Sequence, residues 1–270
     1  MPGIRKEGDG PALIEVRTYF VRERNALLAR ALFSELYLDY YLRLMQTGIE
    51  ERPGDDVLVK DLLAAFTLHM ASRPIPESPA WTLHFEKEGL DLFASGKNVE
   101  QRVIARAIRD NVDSSGANRL SSQVISEKEG LQSSQITFES DHVFGAVEEY
   151  YEQSEQRLAR LFRHDDEEDV VLISAQPDCD LEWLAGLDAD QIRRLDQDES
   201  LSLLEQRSYR LDCGCSGEVL AAVLSRMGKG QVEELFQGDT EIVADCPRCG
   251  TKHVVAKSVI EKMLDSEESA

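Results

Sequence analysis

Four of the five cysteines in this 270-residue chain fall in two tight pairs near its C-terminus, Cys213-Gly214-Cys215 and Cys246-Pro247-Arg248-Cys249. Thiolates so paired are the donor set of a structural zinc site, because the ion takes four sulfur or imidazole ligands tetrahedrally and draws them as close pairs from two loops. Pro247 stiffens the second loop, and Gly250 permits the left-handed backbone that metal knuckles often need. The first pair has the tighter bite, with one residue between the thiols instead of two. His253 follows Cys249 by four residues and is left outside a tetrahedron that four thiolates already fill. Cys179 stands outside any motif.

The same residues admit other chemistry. A Cys-x-x-Cys pair also serves thiol-disulfide exchange, but that reading wants a βαβ context and leaves Cys213 and Cys215 without a role. An inert metal clip stays open on the residues alone. The chain has no Gly-x-Ser-x-Gly, no His-Glu-x-x-His and no phosphate loop, so the expectation is a protein that is not an enzyme. His69 and His84 sit in apolar runs and read as core, while His142 and His164 mark the two ends of an expected helix. The net charge of -21, from 51 acidic against 30 basic residues, disfavours nucleic acid and anionic membranes, which would repel the chain before any specific contact formed. Residues 1–10 are polar and no apolar run approaches the ~18 residues of a membrane span. The expected location is the cytoplasm, where a reducing environment keeps thiols available for metal.

Around the thiols, the final segment alternates short elements: a strand at Ser208–Leu211, a helix from about Ser216 to Met227, another near Gln231 to Phe236, strand residues Thr240–Val243 and Val254–Val255, and a closing helix at Ser258–Leu264. So little apolar surface needs a metal to hold it. Before it, residues 164–204 carry thirteen Asp or Glu against Arg193 and Arg194, a charge of -11. Val170–Ile173, Leu181, Trp183, Leu184, Leu187, Ile192 and Leu195 are interleaved there, enough to fold against something but too thin for a core of their own. Upstream, a strand is expected at Ile14–Val21, a long helix from Arg22 to Gln46, a second helix from Asp56 to Ser72, and a hairpin of Trp81–Phe85 with Leu90–Phe93. Val99–Asp110 reads as weakly helical, Gln123–Ser126 and Ser134–Glu139 as strands, and His142–Arg163 as a third helix. The fold class is α+β: an N-terminal sheet-and-helix domain at residues 12–163, a metastable acidic and helical linker at 164–204, and a small zinc-binding domain at 205–270.

With these residues laid out, the chain resembles the heat-shock protein 33 family of redox-regulated holdase chaperones. The resemblance rests on Cys-x-Cys, thirty residues, then Cys-x-x-Cys-Gly at Cys213, Cys215, Cys246, Cys249 and Gly250. It rests also on Glu149-Tyr150-Tyr151-Glu152-Gln153-Ser154-Glu155-Gln156, similar to the family's Tyr-aromatic-x-x-Ser-Glu-Gln signature. It spans roughly residues 13–265, and residues 98–119 lack the family's glycine-rich stretch. The resemblance implies one Zn2+ per chain held by the four cysteines in a reduced, inactive state. It implies oxidation to the disulfides Cys213-Cys215 and Cys246-Cys249, unfolding of the linker, and ATP-independent binding of unfolded client proteins through residues such as Val170, Leu172, Trp183 and Leu184. A homodimer in the oxidised state also follows from it. The alternative from a different class is a constitutive zinc-ribbon adaptor for protein partners, without a redox switch.

Overall fold

The computed structural model describes residues 11–112, 116–126, 128–164 and 168–267; the polar start, part of the acidic run at 165–167 and the last three residues lie outside the described residues. β1 (Ile14–Val21) forms where expected and buries alternate residues from Ile14 to Thr18. The long helix expected from Arg22 does not follow. The chain turns at Asn25, whose φ of 49° is left-handed, and returns as β2 (Ala26–Leu32), antiparallel to β1 from Val21↔Ala26 to Arg17↔Arg30. Helix α1 is confined to Ser34–Thr47 and stops at Gly48. The Ala-Leu-Leu-Ala-Arg-Ala-Leu of β2 favours a helix locally, but a place between two strands with both faces covered overrides that preference.

α2 (Asp55–Ala71) falls where expected and is buried without a break from Leu62 to Ala71, as an all-round apolar helix must be. β3 (Ser78–Phe85) and β4 (Leu90–Lys97) make the expected hairpin. The weak helix expected at Val99–Asp110 is instead β5 (Arg102–Ile108), whose Val103, Ile104 and Ala105 are buried beside β4. β6 (Arg119–Ser126) and β7 (Gly130–Thr137) complete this half of the sheet. The third helix is shorter than expected. α3 spans Val143–Gln153, capped by His142 Nδ1, which accepts from Gly145 N at 3.0 Å. The chain then reverses at Gln156, φ 54°, and residues Ala159–Arg163 return as β8, so Leu161 and Phe162 pack from a strand.

Within the acidic stretch, β9 (Asp169–Ala175) is followed by three short helices, α4 (Leu181–Gly186), α5 (Ala189–Arg193) and α6 (Leu195–Asp198), and then by β10 (Leu201–Leu211). One ten-stranded sheet results, in the order β7-β6-β3-β4-β5-β10-β1-β2-β9-β8. Its pairs are antiparallel except β10 with β5, which meet in parallel only at Arg210↔Arg102 and Leu211↔Val103. Alternation along β9 divides the cores: Val170 and Leu172 enter the main core with α2 and α3, whereas Val171 and Ile173 enter a second core on the opposite face. There Leu184, Leu187, Ile192 and Leu195 cover Val21, Leu28 and Phe162. The sheet face is thus what the acidic stretch folds against.

Beyond the sheet come α7 (Gly217–Leu224), α8 (Lys229–Phe236), the hairpin of β11 (Glu241–Asp245) with β12 (Lys252–Ala256), and α9 (Lys257–Glu267). They share a small core of Leu220, Val232, Phe236, Val255, Ile260 and Leu264. No described helix is long and apolar enough to cross a membrane.

Candidate metal centre

Two local structures present the four thiols. After β10, Asp212 Oδ1 accepts from Gly214 N at 2.8 Å and bends the backbone between Cys213 and Cys215. Gly214 takes φ 63°, a backbone conformation that favours glycine, and a Cβ there would displace the Arg102 guanidinium from its place against the knuckle. The second pair occupies the tip of the β11–β12 hairpin. Cys246 N donates to Thr251 O at 2.9 Å, and the Cys246 carbonyl accepts from Cys249 N and Gly250 N at 3.3 and 2.7 Å, with Gly250 at φ 74°. These bonds turn Cys246 and Cys249 inward together.

The four sulfurs lie within 4.8 Å of one another. Two close approaches run between the pairs, Cys213 to Cys246 at 3.7 Å and Cys215 to Cys249 at 3.5 Å. A tetrahedral zinc with ~2.3 Å bonds to sulfur separates its ligands by ~3.8 Å, so the cluster fits the ion. The expected ligand residues Cys213, Cys215, Cys246 and Cys249 are therefore brought together and could hold a metal ion. His253, read from sequence as lying outside the tetrahedron, places Nε2 3.1 Å from Cys215 Sγ. Cys179 is far from this group, half-buried beside the second core, with its thiol pushed up by burial.

A family model described as Hsp33 protein matches residues 165–256. Curated relatives carry the name 33 kDa chaperonin: that of Aliivibrio fischeri (strain MJ11) is 24% identical over 85% of this chain and 92% of its own length. That of Vibrio vulnificus is 25% identical over 50% of this chain, and the match spans only 54%, about half, of that relative. The crystal structure of the 33 kDa chaperonin (heat shock protein 33 homolog) from Thermotoga maritima superposes with a TM-score of 0.68 at 12% identity, covering 97% of this chain and all of that one. The family-model match, the curated relatives and the shared fold together support the Hsp33 family for this chain.

In this chain the thiols do not belong to the small C-terminal core. Cys246 and Cys249, each 1% exposed, are part of the main core, and Cys213 and Cys215 pack against it. Electrostatics accounts for their need of a cation. Hydrogen bonds from Cys213 and Cys246 hold the Cys249 thiol well below the usual range, while Cys213 is pushed far up, first by its bond to Cys246. Cys215 is pushed up to about 12, chiefly by burial. Thiolates packed this closely in a partly buried site repel one another, and a positive ion among the sulfurs would offset that repulsion.

Arginines that the sequence did not single out surround the knuckles. Arg43 on α1 donates to the Cys249 carbonyl and, at 2.9 Å, to Thr251 Oγ1. Arg248 donates to the Cys213 carbonyl at 3.2 Å. Arg102 on β5 lies against Gly214, and Arg106 on the same strand lies against Gly250. Four thiolates with one divalent cation carry a net charge of -2, which these guanidinium groups complement. The alternation in Arg102-Val103-Ile104-Ala105-Arg106 was the available signal, legible only once that segment is known to be a strand.

The tyrosine signature also acquires a place. Tyr151 OH bonds the buried His69 Nδ1 at 2.8 Å, and Tyr150 OH donates to Glu155 Oε1 and can accept from the Ser122 hydroxyl, each at 3.1 Å. Glu155 also pairs with Arg73. These contacts fix the end of α3 over the main core.

Proposed function

We propose that this chain is an oxidation-activated, ATP-independent holdase for unfolding proteins in the cytoplasm. In the reduced state Cys213, Cys215, Cys246 and Cys249 hold one Zn2+ as thiolates, and the bound ion supplies a cross-link worth an apparent ~10–16 kcal/mol of folding free energy. The observation that carries the reading is the seating of the four sulfurs, within 4.8 Å of one another, on the main core of the sheet domain. A site so placed couples its own integrity to the sheet.

Peroxide or hypochlorous acid is the oxidant. Within each pair the two thiolates surrender two electrons and one S–S bond forms, while the peroxide takes those electrons and two protons from solvent to give two waters; with the thiolate charge gone the cation leaves. We assign the disulfides as Cys213-Cys215 and Cys246-Cys249, because closure within each pair releases the two knuckles from each other. Segment 205–270 then loses its ligands, and segment 164–204 comes away as the linker. β9 is an interior strand with Val170–Ala175 buried, so release runs from its end, through α4–α6 and β10. It uncovers Leu184, Leu187, Ile192 and Leu195 on the linker and Val21, Leu28 and Phe162 on the sheet, an apolar surface for clients. The overall charge of -21 keeps the complex in solution.

The test treats reduced, metal-loaded protein with peroxide at mild heat or with hypochlorous acid. Metal release is followed beside aggregation of a thermally unfolding client. Release together with suppressed aggregation is expected. Release without any gain in suppression would leave the constitutive adaptor as the better account.

A further inference from the structure

β10 joins the two halves of the sheet, yet it is held differently from its neighbours. Among its residues only Tyr209 and Leu211 are buried, and Leu203 and Leu204 are 52% and 58% exposed. Its attachment to β1 is main-chain pairing, from Ile14↔Tyr209 to Val21↔Leu201, with an irregularity between Thr18 and Tyr19 that leaves Leu204 without an opposite residue. On its other side it meets β5 only at Arg210 and Leu211. Side chains hold it at both ends: Ser202 Oγ accepts from Arg22 Nε and Leu201 packs against the second core at its start, and further anchors lie at the end next to the cysteines. Arg207 donates to the carbonyls of Met70 and Arg73 at the end of α2, and Tyr209 OH donates to Asn98 Oδ1 at 2.6 Å. β1 is the opposite case: Ile14, Val16, Thr18 and Val21 are all buried.

Removing such a strand exposes little apolar surface of its own but leaves a row of N–H and C=O groups on β1 that another strand can satisfy. Strand addition to an open edge draws its affinity from the main chain and is therefore tolerant of sequence. We propose that the edge of β1 covered by β10 is the binding site for an extended, apolar stretch of an unfolded polypeptide, added as a strand in β10's place. The proposal rests on the oxidation-activated reading above and names where the client is held. Loss of the thiol cluster frees the C-terminal end of β10, beside its anchors, so the strand peels from Leu211 toward Leu201. Apolar residues at every second position of the incoming segment take the places of Tyr209 and Leu211 over the main core. A second copy of this chain is a poorer occupant, because its charge of -21 repels its like.

The experiment uses the full chain, reduced and peroxide-oxidised, followed by amide hydrogen exchange. The probe is a synthetic peptide of residues 201–211, with the same peptide N-methylated at alternate residues as control. Amides of residues 14–21 should lose protection on oxidation and regain it when the peptide is added. The peptide should reduce suppression of client aggregation, and the methylated control should do neither. Protected β1 amides in an oxidised protein that suppresses aggregation would overturn the edge site and leave the holdase reading standing. Open β1 amides that the peptide does not cover would also overturn it, as would a concentration-dependent dimer that alone restores protection. Deprotection and peptide capture without any suppression would support the strand-accepting edge and sink the holdase reading instead.

Discussion

Arg43→Met tests how the thiol cluster is tied to the sheet domain. The Arg43 guanidinium reaches from α1 to the Cys249 carbonyl and to Thr251 Oγ1, and the Thr251 hydroxyl in turn lies 3.4 Å from Cys249 Sγ, placed to donate to the thiolate. A hydrogen bond involving a charged group contributes about 1.5–3 kcal/mol. Both bonds here leave one half-buried nitrogen, so the pair is taken as worth about 2–3 kcal/mol together. Methionine keeps the apolar stem, confining the loss to the polar head. That energy is about 30- to 140-fold in the equilibrium for docking the knuckle. The reduced variant should bind one metal per chain like the parent, since all four thiols remain. Amides of residues 246–251 should exchange faster, by up to the same factor, and peroxide should release the metal sooner. Exchange and release rates equal to those of the parent would refute the claim that α1 holds the knuckle.

Gly214→Ala combines a left-handed backbone, costing roughly 1–2 kcal/mol, with a Cβ driven onto Arg102, and should lower metal retention against a chelator; unchanged retention would remove the close approach of Arg102 from the account. The disulfide assignment is checked by peptide mapping after oxidation: linkage within each pair is expected, whereas Cys213-Cys246 and Cys215-Cys249, whose sulfurs lie 3.7 and 3.5 Å apart, would staple the knuckles together and contradict release. Burial, and then Arg73, depress His69 well below its ordinary value, so the unfolded chain binds the extra proton. Stability from this group is therefore present above about pH 6.5 and lost as pH falls, by at most about 1.4 kcal/mol per pH unit. Urea unfolding of His69→Phe against the parent at pH 7.5 and 5.5 should show the variant losing less at the lower pH; parallel losses would exclude His69 as a source of acid sensitivity.

The cysteine motif was legible because a metal constrains residue type and spacing together, and two close pairs of thiols in one short segment meet both constraints. α2 was legible because it is buried on every side, and the β3–β4 hairpin because Gly89 and its polar turn mark it. β2 and β5 were not. Ala26–Leu32 is built of alanine, leucine and arginine, which favour a helix, and Arg102–Ile108 mixes two alanines and two arginines with Val103, Ile104 and Ile108, so their place inside a sheet decides that both are strands. The early end of α3 depends on Gln156 adopting a conformation usually left to glycine, which no local pattern announces. The acidic stretch showed by its interleaved leucines that it folds against something, but the identity of that surface required the second face of the sheet. The arginine ring was hidden for the same reason: Arg43, Arg102, Arg106 and Arg248 come from three parts of the chain and meet only in the fold.

That ring bears on whether the site behaves as a clip or as a switch. An inert clip would sit inside the C-terminal core it stabilises, and its loss would stay there. Here the sulfurs pack on the main core, while Leu220, Phe236 and Ile260 form a separate one. On the proposed reading, oxidation replaces a centre of charge -2 by two neutral disulfides, so the surrounding guanidinium groups lose their counter-charge in one step. Arg102 keeps Glu100 and Asp212 as partners, so its loss of counter-charge is partial. On that reading oxidation does more than remove a cross-link: it also weakens the electrostatic attraction that holds the knuckles against the arginines of α1 and β5, the surfaces beside the anchored end of β10.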